Sequence, residues 1–316
     1  MMEIYDLFYK DEFTDNVIKT SKFDKFISAY NQSERVQGMF QKITADHKIW
    51  LIFPEYRYQP EELSDIGKYY ICEGNTSGEQ IISFLNNSGL TPSDNILIDI
   101  TGFMRPQLAT FLKYLHRNKF TKFELVYSEP MNYTDQEKTT FSYGNLSKVM
   151  PVTGFEGPTN STDTDDVLIV GTSYDHTLIK KVCIAKEHAK YKFQLVGFPP
   201  LRPDMYQENI YRASKAINEI GEKAFKNKVF APADDPFITA KKLSETVKRI
   251  EHENGYTNLY LCSLGTKPQT VGFVLYYLIE LEQENKPARL IYPFFEKYSR
   301  ETTQGNYRSW KYTIEF

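Results

Sequence analysis

Cysteine is scarce. There are three in 316 residues, Cys72, Cys183 and Cys262. They are odd in number, far apart and never in a CxxC pair, which argues against a disulfide framework or a structural zinc site. Each sits in an apolar segment and reads as a small buried residue. The five histidines, His47, His116, His176, His188 and His252, show no HxxxH or HExxH spacing. No charge of one sign prevails: 38 Lys and Arg stand against 41 Asp and Glu, a net charge of -3. That balance excludes a strongly basic nucleic-acid domain and an acidic disordered tail. Long apolar runs are missing too. The longest, Phe273 to Ile279, falls far short of the ~20 residues of a membrane-spanning helix. The start, MMEIYDLFYKDEF, lacks a basic stretch followed by an apolar run, so no signal peptide is expected. Neither GxxxxGK[ST] nor GxGxxG occurs, so there is no P-loop or dinucleotide fingerprint and no cofactor is expected. Together these absences predict a cytoplasmic protein with neither a membrane nor double-stranded nucleic acid as partner.

Hydrophobic residues make up 41% and charged residues 25%, the proportions of a folded globular chain. At roughly 150 residues per domain the length allows about two domains. Aromatics are plentiful, with 23 Tyr and 22 Phe. They suit either a Tyr-rich core and surface or stacking on a ring-bearing ligand.

The chain reads as one unit written twice. Residues 95–102, Asn-Ile-Leu-Ile-Asp-Ile-Thr-Gly, match residues 258–265, Asn-Leu-Tyr-Leu-Cys-Ser-Leu-Gly, in first residue, apolar run and final Gly. A basic residue and Pro-Gln follow each: Arg105-Pro106-Gln107 and Lys267-Pro268-Gln269. Phe111 and Tyr114 then match Phe273 and Tyr276. Upstream, Phe53-Pro54-Glu55-Tyr56-Arg57 pairs with Phe198-Pro199-Pro200-Leu201-Arg202. Downstream, Tyr127 and Tyr133-Thr134 pair with Tyr292 and Tyr298-Ser299, and Thr139-Thr140 before Gly144-Asn145 with Thr302-Thr303 before Gly305-Asn306.

Each half alternates strands and helices. In the second, strands are expected at Val167–Val170, Phe193–Val196, Val229-Phe230, Asn258–Cys262 and Arg289–Tyr292, with helices between them. In the first they are expected at Ile4–Phe8, Ile49–Phe53, Tyr69–Cys72, Ile96–Ile100 and Phe123–Tyr127, with 10–46 helical but poorly periodic. The segment 143–165, rich in Gly, Thr, Pro, Asn and Asp, is the candidate linker. The fold class is therefore α/β: two tandem Rossmann-like, doubly wound parallel sheets related by duplication, residues 1–158 and 159–316.

In such a sheet, ligands bind beyond the carboxyl ends of the strands where the strand order reverses. For an order 3-2-1-4-5 that point lies between the loops after strands one and four. In the second half these are Gly171-Thr172-Ser173-Tyr174-Asp175-His176 and Ser263-Leu264-Gly265-Thr266-Lys267. Gly265 lets backbone approach a ligand. Pro268 at the first turn leaves the free N–H groups facing outward, and with the helix dipole they favour an anion. Ser263 and Thr266 add hydroxyls and Lys267 a positive charge. The turn then reads either as a phosphate or carboxylate cradle or as ordinary strand-to-helix punctuation. Arg105 at the matching place in the first half favours the cradle.

Asp99 is either a ligand-contacting carboxylate or a cap for its own turn. Asp175 reads as a helix N-cap or, with His176, as an acid/base group. Asp234-Asp235 before Pro236 reads as a cap, or as a ribose or metal contact. Arg57 and Arg202 either reach the crevice or stay solvated.

The run Leu97-Ile98-Asp99-Ile100-Thr101-Gly102, followed by a basic residue and a helix, resembles the strand-four turn of CARF (CRISPR-associated Rossmann fold) domains. Asp99, Thr101 and Gly102 match the Asp-x-Thr-Gly pattern, whereas Phe103 stands where a second Gly is common and Ser263-Leu264-Gly265 departs further. The resemblance implies a ligand sensor for cyclic oligoadenylates, a two-fold site built by two halves of one chain, and a setting in prokaryotic antiviral defence. The two halves leave no room for the nuclease domain that such sensors often carry, and the sensor reading therefore has the signal pass through a protein partner.

Three functions follow from these residues. The first is a nucleotide- or phosphoester-binding sensor, with Asp99, Thr101, Gly102, Arg105, Thr172, Ser173, Asp175, His176, Arg202, Ser263, Gly265, Thr266 and Lys267 as ligand contacts. The second is an enzyme on a nucleotide or sugar phosphate using Asp175, His176 and Lys267. The third is a scaffold subunit. The lack of a catalytic signature disfavours the second, and the matching basic-Pro-Gln turns disfavour the third.

Overall fold

The computed structural model describes residues 5, 9–133, 142–172, 175–221, 227–298, 300 and 303–316. The chain forms two compact units, one from residues 7–144 with 296–316 and the other from 1–6 with 145–295. The chain thus passes between units at 6/7, 144/145 and 295/296.

The first unit contains β1 (Tyr9–Glu12), α1 (Asp15–Thr20), β2 (Phe23–Ala29), α2 (Glu34–Lys42), β3 (Ala45–Ile52), β4 (Tyr69–Ile71), α3 (Ser77–Ser88), β5 (Ile96–Asp99), α4 (Arg105–Arg117) and β6 (Lys122–Tyr133). After β7 (Ser142–Pro151) come β8 (Val167–Gly171), α5 (His176–Ala185), β9 (Tyr191–Gly197), α6 (Met205–Ser214), α7 (Ile217–Ile220), β10 (Lys228–Ala231), α8 (Pro236–Glu253), β11 (Leu259–Ser263), α9 (Lys267–Tyr276) and β12 (Ala288–Tyr298). The last strand, β13 (Thr303–Glu315), returns to the first unit's sheet.

The first sheet has the order β1-β13-β6-β5-β2-β3-β4, the second β10-β9-β8-β11-β12-β7. Strands β2 to β6 are mutually parallel, as are β8 to β12. Counted within each unit, both follow 3-2-1-4-5, the order of a Rossmann-like sheet. Crossovers running one way from the first strand and the other way to the fourth and fifth put helices on both faces when right-handed. Burial agrees: every residue of β5, β8 and β11 is buried, as strands covered on both faces require. The sheets are mixed, however. β13 runs antiparallel to β6, and β1 antiparallel to β13.

The first parallel strand of the first unit corrects the sequence reading. It is β2, inside the stretch 10–46 expected to be helical. The expected strand Ile4–Phe8 lies outside the described residues except Tyr5, whose hydroxyl donates to Glu280 in the second unit at 2.8 Å. The linker candidate is partly strand, since β7 covers 142–151. Between β9 and β10 the described residues form two helices, Met205–Ser214 and Ile217–Ile220. The matched turns hold equivalent stations. Ile98 pairs with Leu125 and Leu261 with Leu290, so Tyr127 and Tyr292 each stand two residues further along the fifth parallel strand. Many of the aromatics are core: Trp50, Phe26, Phe84, Phe103, Phe111 and Phe273 are almost fully buried.

Candidate functional site

In the first unit the turn after β5 is knit into the protein. Asp99 is fully buried. Its Oδ1 accepts from the Thr101 backbone N–H at 2.9 Å and its Oδ2 from the Ser28 hydroxyl at 3.1 Å. Thr101 Oγ1 accepts from the Ser128 N–H at 3.0 Å. The Arg35 guanidinium, on α2, donates to the Ser128 carbonyl at 2.5 Å and to the Thr303 hydroxyl at 2.9 Å. Strands one, four and five, α2 and β13 are thereby tied together by one buried network. Burial pushes the Asp99 carboxyl up to about 6, against the pull of its bonds to Thr101 and Ser28. Gly102 lies against the end of β2, where a Cβ would come closer than 3.0 Å to the Ala29 carbonyl oxygen. The Gly102 carbonyl accepts from the Tyr56 hydroxyl at 3.1 Å. Asn31, in the loop after β2, donates to the Arg300 carbonyl, and Arg300 in turn donates to Tyr56 O, Arg57 O and Glu62. The side chains expected to face a ligand at this switch point are thus engaged with one another.

Arg105 is the first residue of α4, partly exposed, and Gln107 the third, buried. Beside Gln107 stands Glu55, in the turn after β3. Gln80 of α3 and Gln107 both donate to Glu55 Oε1, at 2.8 and 3.2 Å. Burial pushes the Glu55 carboxyl up, and the Gln80 bond opposes that.

In the second unit the two switch-point loops meet. Leu264 N–H donates to the Gly171 carbonyl at 3.1 Å. Thr172 is buried, its N–H and hydroxyl both donating to Leu195 O. Ser173 lies outside the described residues. Asp175 caps α5, accepting from the Thr177 N–H at 3.1 Å and from its hydroxyl. His176, first residue of that helix, is half-buried and held below its usual pKa by desolvation. Ser263 is buried and shares a 3.0 Å hydrogen bond with Thr270. Thr266 caps α9 through a capping box with Gln269, and its hydroxyl donates to the Ala233 carbonyl. A Cβ on Gly265 would meet the Gln269 carboxamide at less than 3.0 Å, so the glycine makes room for that box. Lys267 is the first residue of α9 and half-buried. Arg202 stands 3.9 Å from Asp204. Asp235 caps α8, accepting from Phe237 and Ile238 N–H at 3.0 Å.

The structure brings Thr172, Gly265, Thr266 and Lys267 to one edge, beside the α9 N-terminus. The sequence reading missed the buried carboxamides of Gln107 and Gln269. Their signal was present in the repeated basic-Pro-Gln triplet. Among the described residues no three His, Cys, Asp or Glu side chains gather as a metal site, and no helix is long and apolar enough to cross a membrane. No protein-family model matches the chain, and no curated protein matches its sequence. Fold and site define an α/β protein with two Rossmann-like sheets, and function is argued from the site itself.

Proposed function

We propose that this protein is a binding module for a nucleotide or another phosphoester, held at the carboxyl edge of the second sheet and signalled to a protein partner. The observation that carries this reading is the α9 N-terminus at the switch point. There Lys267 and Pro268 open a capped ten-residue helix directly after strand four. The helix dipole and the cation of Lys267 favour an anionic group in that place. The similarity of the Asp99 to Gly102 turn to CARF domains supports a cyclic oligonucleotide as ligand and prokaryotic antiviral defence as setting, and the repeated basic-Pro-Gln turns support two halves of common origin. Asp175 Oδ1 accepts from the first turn of its own helix, which favours a capping role over acid/base chemistry at this loop.

A thermal-shift screen against nucleotides, cyclic oligonucleotides and sugar phosphates tests the reading. A ligand at 100 times its Kd stabilises by about 2.7 kcal/mol. Lys267→Ala is expected to weaken that ligand about 10- to 100-fold, because a charge-assisted contact contributes roughly 1.5–3 kcal/mol. His176→Ala should leave binding intact, and the nucleotide should be recovered unchanged after long incubation. Product formed from a nucleotide, and lost on changing His176, would replace the sensor with an enzyme.

A further inference from the structure

Gln107 and Gln269 hold the same station, the third residue of the helix after the fourth parallel strand. Both are buried, at 3% and 1% exposure. Their surroundings differ. Gln107 Nε2 donates to Glu55 Oε1 at 3.2 Å and to Gln80 Oε1 at 2.8 Å. Glu55 is the third residue past the end of β3. The third residue past the end of β9 is Pro200, which offers no carboxyl group. In the second unit Gln269 Oε1 accepts from the Thr266 N–H at 3.2 Å, which pins the carboxamide. Its Nε2 is then buried with no hydrogen-bond partner among the described residues. A Cβ built on Gly197, the last residue of β9, would stand 3.5 Å from that Nε2. The donor therefore lies beside the end of the second parallel strand, just past which the first unit supplies Glu55. Burying a donor unmet is costly and calls for an explanation.

We propose that the second unit's cradle is completed by an anionic oxygen that a ligand brings, a phosphate or a carboxylate, taken up by Gln269 Nε2 beside Lys267 and the α9 N-terminus. The first unit carries its own acceptor in Glu55 and takes no external anion at the matching place. The two halves thus differ in kind: one is filled by its own side chain and one is built to be filled. The inference rests on the reading above only for the ligand being a phosphoester; the anion site itself stands on Gln269 and the Glu55-to-Pro200 difference.

The test is a thermal-shift titration of the full chain with inorganic phosphate and with acetate, against sodium chloride at matched ionic strength. The wild type should show a saturable rise in Tm with at least one of the two anions. Gln269→Glu keeps an oxygen for the Thr266 N–H but replaces the donor by an acceptor, and should weaken that anion at least about 10-fold. Pro200→Glu supplies the acceptor from within the chain. It should melt higher than wild type without added anion and lose the response. Gln107→Glu, in the first unit, should leave the anion affinity unchanged. A wild type stabilised by neither anion overturns the proposal, and so does an anion response that survives intact in both Gln269→Glu and Pro200→Glu. A nucleotide that stabilises wild type and Gln269→Glu equally would keep the phosphoester reading and overturn this site. An anion response lost in both variants, with no nucleotide binding better than phosphate, would keep this site and overturn the nucleotide reading.

Discussion

Gly102→Ala is expected to cost about 3 kcal/mol of folding stability, the upper end of what forced strain in a packed interior costs. The reason is geometric. A methyl group there would come closer than 3.0 Å to the Ala29 carbonyl oxygen, and the obstacle is backbone rather than the far end of a side chain. Neither strand can yield easily. Ala29 ends β2, hydrogen-bonded on both sides, and Gly102 follows the turn clasped by Asp99 and Thr101. Urea unfolding of wild type and variant measures it: the midpoint should fall with the m-value unchanged. Gly38→Ala is the control. It lies in α2 with nothing within 4 Å of its added methyl, and should stabilise by about 0.4–1 kcal/mol. A Gly102→Ala variant within about 1 kcal/mol of wild type would mean that the loops after strands one and four are not tightly opposed.

That close approach also explains what the sequence could and could not tell. The second half was legible because its strands are short β-branched or apolar runs between capped helices, as at Val167–Gly171 and Leu259–Ser263. Strand β2 was not. Phe23, Phe26 and Ile27 stand at i, i+3 and i+4, a helical spacing, and with Ala29 all are buried because a central strand is covered on both faces. Periodicity cannot separate those two cases. Nor could it place β13, whose partners on β6 are 170 or more residues away in sequence. At the site, residue types and positions were readable but their partners were not. Gly102 and Asp99 stood out as features that could serve a ligand, yet the neighbours that engage them, Ala29, Ser28 and Arg35, come from the unrecognised strand and the helix after it. Glu55 and Pro200 were aligned in the repeat, but only the fold shows that the first reaches Gln107.

Asp99→Asn is expected to abolish a loss of about 3 kcal/mol that the wild type suffers between pH ~4 and pH ~6. The folded Asp99 carboxyl is pushed up to about 6 from its ordinary 3.8, with burial the leading cause. A raised carboxyl pKa means that the folded state holds the proton more tightly than the unfolded chain does. The group's contribution is therefore fully present below the unfolded pKa, falls as pH rises through the window, and is level above the folded pKa. Asparagine does not titrate there. Its carbonyl oxygen can still accept from the Thr101 N–H, and its amide can donate to the Ser28 hydroxyl oxygen. The variant should match wild type near pH 4 and exceed it by up to about 3 kcal/mol at pH 8. Loss of the carboxylate's attraction for the buried Arg35 offsets part of that gain. Asp99→Ala instead strips both bonds and should be less stable at every pH. Denaturant melts from pH 4 to 8 decide between two roles for this turn. If the Asn variant keeps the wild-type slope and loses ligand affinity, Asp99 is a binding group. If the slope vanishes and affinity stays, Asp99 is the clasp that holds strands one, four and five in register, and the ligand's anion belongs to the other sheet.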